Sequence, residues 1–232
     1  MGYVFDPTAV LTGQYLDWFI WGVATTIALT VAAWVLGMTM GIILTLIRMV
    51  PFRPLEWFVS LYVEYHRNVP LLVQILVWYF GIPQLLPRPA RVWINQHHSE
   101  FLLATIALGL ASAAYITEDL RSGIRSIPKT QYEAARSIGF NYLQAMSYVI
   151  LPQSLRIVIP PLINQTLLLF KNTSLAMAIG VGELTYRTRE VDSYTFKTFE
   201  AFAVATVIYL AISFIIMMLG NYADRRLKLE IR

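Results

Sequence analysis

The 232-residue chain has no cysteine, so disulfide frameworks, thiolate metal sites and cysteine nucleophiles are all excluded. Charge is scarce as well: only 14% of residues are Asp, Glu, Lys or Arg, against roughly 25% in soluble domains. None of the glycines is followed by lysine, so the phosphate-cradling Gly-x-x-x-x-Gly-Lys-Ser/Thr loop is missing and ATP is not hydrolysed by that route. There is no Gly-x-Ser-x-Gly elbow and no zinc-protease histidine pair. His97 and His98 adjoin in a polar stretch and His66 stands apart, without an acidic or histidine partner at helical spacing, so no metal site is expected. Enzyme function and a bound cofactor are not expected.

What fills the chain is apolar side chain, at 57% of residues. Charge-poor runs lie near 18–47, 57–82, 101–121, 142–170 and 199–223. Each is about 20 residues or longer, enough to cross a hydrocarbon core of ~30 Å at ~1.5 Å per residue. The reading is an all-α integral membrane protein with about five transmembrane helices, forming a single transmembrane domain over 1–232. No internal repeat or low-complexity tract interrupts it.

The basic residues set the topology. No Lys or Arg precedes the first run, and the later segments carry Arg48 and Arg53; Arg88 and Arg91; Arg121, Arg125, Lys129 and Arg136; Arg187, Arg189 and Lys197; and finally Arg225, Arg226, Lys228 and Arg232. Placing the richer alternate segments in the cytoplasm puts the N-terminus outside and the C-terminus inside, which five spans satisfy. The net charge of +4 is therefore a topology signal, and no nucleic-acid partner is implied; membrane lipid is the surrounding medium. The N-terminal Asp6 and Asp17, and the length of the first run, argue against a cleaved signal peptide. Gly37 and Gly41 share one helix face and suit either close helix packing or chance composition.

Ionisable residues inside spans should face protein or water. Glu64 and Arg67, three apart, are close enough to neutralise each other. Pro70 and the Pro160-Pro161 pair should interrupt regular helix bonding, which at membrane depth is tolerated only against protein or a cavity. Arg156 suits snorkelling to the inner interface. Glu118 and Asp119, ahead of Arg121 and Arg125, suit inter-helix salt bridges or interface anchoring. Lys171, Asn172, Thr173 and Ser174 form a cluster of donors in an apolar run and, with Arg67, are candidates for a substrate path; packing explains the cluster equally well.

Between the third and fourth spans, residues 128–152 read as a short cytoplasmic helix near 129–140. Thr130 is the expected N-cap, with Glu133 completing a capping box and Gly139 ending the helix. Small Ala134 and Ala135 leave room for another surface. Glu133-Ala134-Ala135, Gly139, Val149 and Leu151-Pro152 resemble the EAA motif of permeases from bacterial ATP-binding-cassette importers, with Val149 where isoleucine is usual. The resemblance extends through Glu64, Arg67 and Asn68–Gln74, through 154–165 and through 171–175, and is most similar to the glutamate/aspartate branch of the polar amino-acid importers.

That resemblance implies a type I importer permease, multi-pass in the bacterial inner membrane, with Glu133, Ala134, Ala135 and Gly139 forming a coupling helix. It implies cytoplasmic ATPase subunits, a second permease subunit, identical or homologous, and a periplasmic amino-acid-binding protein. Glutamate/aspartate import is the expected function. Glutamine, histidine or arginine import, and more remotely secondary transport, are the alternatives.

Overall fold

The computed structural model describes residues 5–227. Lys228 and Arg232 of the terminal basic group lie outside the described residues. Helices carry the fold because in hydrocarbon each backbone N–H and C=O must find its partner within the segment. They are α1 (Gln14–Met49), α2 (Arg53–Asn68), α3 (Leu71–Leu85), α4 (Arg88–Gln96), α5 (Ser99–Arg125), α6 (Lys129–Ser137), α7 (Tyr142–Ile179), α8 (Leu184–Thr195) and α9 (Thr198–Leu227). Four of them, α1, α5, α7 and α9, are long and apolar enough to cross a membrane singly, and α2 with α3 makes the fifth crossing as a bent pair.

The bend is 107°. Its cause is local: Pro70 has no N–H to donate and pushes Val69 into the extended region, at φ −92° and ψ 129°. Pro160 and Pro161, expected to interrupt the fourth span, instead lie inside a continuous helix. Here the flanks hold α7 in place: it packs against α5 and α9, and Trp34 Nε1 of α1 donates to Thr166 Oγ1 at 3.0 Å. Two π-helical turns, Val77–Gly81 in α3 and Met146–Ile150 in α7, widen their helices beside these features.

The core is the long parallel contact of α1 with α5. Gly37 and Gly41 both face it; a Cβ on Gly41 would lie 2.7 Å from Ile116 Cγ2, and one on Gly37 3.0 Å from Ser112 Cβ. The small-residue face is thus used for backbone approach, and Gly109 answers it from α5, where a Cβ would meet Leu36 Cδ2 at 2.7 Å. At the outer end, buried Glu183 caps α8, accepting from Thr185 N at 2.9 Å, Tyr186 N at 2.8 Å and Tyr209 Oη at 3.0 Å. Leu184 N in turn donates to Thr26 Oγ1 of α1, so the segment between the fourth and fifth spans is folded back onto the bundle.

Candidate functional site

The break between α2 and α3 frees backbone groups at membrane depth, and one side chain collects them. Gln74, 1% exposed, donates through Nε2 to the carbonyls of His66 at 3.1 Å and Val69 at 2.8 Å. Its Oε1 lies 2.6 Å from His66 Nδ1. The break is therefore a built structure, with two of its released acceptors satisfied by one side chain, rather than a frayed end.

Against it lies a cavity of about 280 Å³, lined by the break itself (residues 66–71), by Ser112 and Tyr115 of α5 and by Gln165 and Asn172 of α7. Arg67 reaches across with its guanidinium carbon 5.8 Å from the Tyr115 ring centroid. One turn below Tyr115, Asp119 stands within electrostatic reach of Arg67 and beside the Gln165 side chain. Asp119 Oδ2 is buried without a hydrogen-bond partner among the described residues. A guanidinium and an under-satisfied carboxylate beside a polar hollow can receive a zwitterion, with donors from Asn172, Gln165 and Ser112 around it.

Glu64 and Arg67 do not neutralise each other as expected. Asn68 Nδ2 donates to Glu64 Oε2 at 2.8 Å, which leaves Arg67 to the cavity side. Of the five candidate path residues, Arg67 and Asn172 line this cavity. Lys171 is exposed on another face of α7, Thr173 is buried with its hydroxyl on Phe170 O at 2.7 Å, and Ser174 bonds Lys171 O at 2.7 Å. Asp119, Gln165, Tyr115 and the His66–Gln74 pair escape sequence reasoning; Asp119 reads as an interface residue there because arginines follow it. The inter-helix salt bridges expected at that level form through Glu118, which pairs with Arg48 of α1.

The second region is the cytoplasmic α6. It begins two residues earlier than a Thr130 cap requires: Pro128 is the N-cap, Thr130 lies within the first turn, and the expected capping box with Glu133 is not formed. A capping box does form just beyond, where Asn141 Oδ1 accepts from Gln144 N and Gln144 Oε1 from Asn141 N, both at 2.9 Å. Gly139 at φ +94° turns the chain, with Phe140 N returning to Ala135 O at 3.1 Å. Ala135 is buried, whereas Glu133, Ala134 and Gly139 are exposed. Around them Ile138, Leu143 and Tyr148 are each more than two-thirds exposed, an apolar patch of the kind that marks a contact surface.

Comparison with known proteins gives a consistent picture. Residues 34–229 match the family described as binding-protein-dependent transport system inner membrane component. The glutamate/aspartate import permease protein GltJ of Escherichia coli is 35% identical over 219 residues, covering 93% of this chain and 89% of that protein. The probable glutamine transporter permease GlnM of Bacillus subtilis is 36% identical, covering 93% and 94% of the two chains. A crystal structure of an amino acid ABC transporter with histidines superposes with a TM-score of 0.85 at 31% identity over 97% of this chain and all of that one.

Proposed function

The chain belongs to the family of binding-protein-dependent transport system inner membrane components, and we propose that the amino acid it passes is glutamate or aspartate. It is a multi-pass inner-membrane permease of an amino-acid ATP-binding-cassette importer, all-α, and in this reading the distribution of basic residues puts its N-terminus in the periplasm. Identity does not choose the substrate, since relatives named for glutamate/aspartate and for glutamine differ by a single percentage point.

The observation that supports the reading is the cavity at the broken second span, whose lining holds the Arg67 guanidinium as its charged group. Arg67 receives a substrate carboxylate, bidentate where geometry allows, and Asn172, Gln165 and Ser112 replace water around it. Asp119 Oδ2, on the residue beside Gln165 and within electrostatic reach of Arg67, takes the α-ammonium group, which supplies its missing partner. Lys171, Thr173 and Ser174 have no place in this cavity and act in packing, or in Lys171's case at another stage of the path.

Coupling is assigned to α6. In this reading Glu133, Ala134 and Gly139 face an ATPase subunit, Ala135 anchors the helix inward, and Ile138 and Leu143 widen the contact. Hydrolysis belongs to that separate subunit, and a periplasmic binding protein delivers the substrate. A second permease chain, identical or homologous, completes the path; residues 1–232 act as one permease domain within it. The test is a competition in membrane vesicles carrying the chain with its co-extracted partners: labelled glutamate displaced by aspartate but not by glutamine or arginine supports the reading, and displacement by glutamine or arginine assigns the cavity to another polar amino acid.

A further inference from the structure

On the cytoplasmic side a second polar hollow, of about 170 Å³, opens where α1, α2 and α5 converge. Arg48, Arg121 and Arg125 line it, with Glu56 across from them. Their charges do not balance. Arg48, whose side chain is 10% exposed, pairs through Nη1 with Glu118 and donates through Nη2 to Ser60 Oγ at 3.0 Å. Its Nε is buried with no acceptor among the described residues. Arg121 is 3.5 Å from Glu56 and 3.9 Å from Glu118, and Arg125 has no carboxylate partner among the described residues. Three guanidiniums thus gather around two carboxylates, one guanidinium unpaired among the described residues, and a buried donor still lacks its acceptor, an arrangement that calls for one more anion.

The hollow does not end at the helix surfaces. Thr45, Met49 and Ile124 are shared with an apolar groove of about 230 Å³ that runs between α1, α5 and α7 past Ile42, Leu155 and Val158. Because α1 descends toward the cytoplasm and α7 rises from it, Ile42 and Val158 lie deeper in the membrane than the arginines. Gly123, where a Cβ would run into Val158 Cγ1, lets α5 and α7 close together along one wall of the groove. A basic hollow at headgroup level continuing into an apolar channel at acyl level has the two halves of a phospholipid site.

We propose that this is a binding site for an anionic phospholipid of the cytoplasmic leaflet. Its phosphate accepts from Arg48 Nε, Arg121 and Arg125, bringing three anionic groups against three guanidiniums, and one acyl chain lies along Ile42, Leu155 and Val158. The hollow shares no lining residue with the substrate cavity and does not depend on which amino acid is carried.

The experiment uses the full chain, extracted with its partner subunits into mixed micelles of equal phosphatidylglycerol and phosphatidylethanolamine, with retained lipid counted by native mass spectrometry. Phosphatidylglycerol is retained in preference, and R125Q lowers its retention about fivefold, as removal of one basic contact near an anionic headgroup does. L155W, which fills the groove, also lowers it. Millimolar inorganic phosphate leaves the lipid in place. Arg125 is exposed and has no carboxylate partner among the described residues, so R125Q tests the proposal even if L155W fails to fold. Equal retention of both lipids, indifference to R125Q, or displacement by inorganic phosphate overturns it.

Discussion

Gln74 satisfies three groups at once at the bend. Replacing it with leucine leaves the His66 and Val69 carbonyls and a histidine nitrogen buried and unpaired, at a cost of about 1–3 kcal/mol for an unsatisfied buried group. Q74L should therefore lower the thermal unfolding midpoint of the detergent-solubilised complex, and an unchanged midpoint would mean the bend is held by other contacts. In the proposed reading Arg67 acts on substrate rather than on stability. R67Q should raise the KM for glutamate by about 10- to 100-fold, the value of one charge-assisted contact, without a matching change in midpoint, and R67K should recover only part of it. Arg67 and Asn172 are legible in the sequence because polar groups in an apolar run stand out. His66 with Gln74 is not, since neither residue announces a partner that only the bend supplies. Lys171 illustrates the limit: sequence position gives depth along a helix, but adjacent residues point about 100° apart, and Asn172 rather than Lys171 faces the cavity.

Among the elements, α6 is the most legible, because its glycine marks its end. Its start differs from the expected one for a physical reason: Pro128 supplies a ready-made helix entry, so Thr130 falls inside the first turn and has no cap to make. Gly139 holds φ +94° with open space around it, so a valine there meets backbone strain of about 1–3 kcal/mol rather than a clash. In G139V the chain should still insert, while ATP hydrolysis by the partner persists and uptake falls; uptake that keeps pace with hydrolysis would remove α6 from the coupling role. The α1–α5 contact answers to a different force. G41L places side-chain atoms where a Cβ alone already lies 2.7 Å from Ile116 Cγ2, so it should cost about 1–3 kcal/mol in overpacking and reduce the yield of monodisperse complex in size-exclusion chromatography. Whether Gly37 and Gly41 pack is open in the sequence, since the spacing is common; the answering Gly109 lies on a helix that the local pattern does not connect to them.

For the molecule as a whole, hydropathy is enough to give the number of crossings, five when the bent pair counts as one, because a bilayer imposes their length and composition. The broken second crossing is legible only as a proline in an apolar run, while its 107° angle and the cavity it opens depend on α5 and α7, which are distant in the chain. The same distance hides the proximity of Arg67 to Asp119. On the proposed mechanism, substrate meets the membrane helices at this cavity, and the driving force enters at α6. The direct measurement compares labelled glutamate accumulation and ATP hydrolysis in the same vesicles, for the unaltered chain and for R67Q, each with its partner subunits and binding protein. The expected result is ATP-dependent accumulation by the unaltered chain and, at sub-saturating glutamate, accumulation reduced about tenfold or more in R67Q while the helices and α6 remain assembled. Equal accumulation by both chains, or accumulation indifferent to ATP, would contradict a substrate site at the broken span.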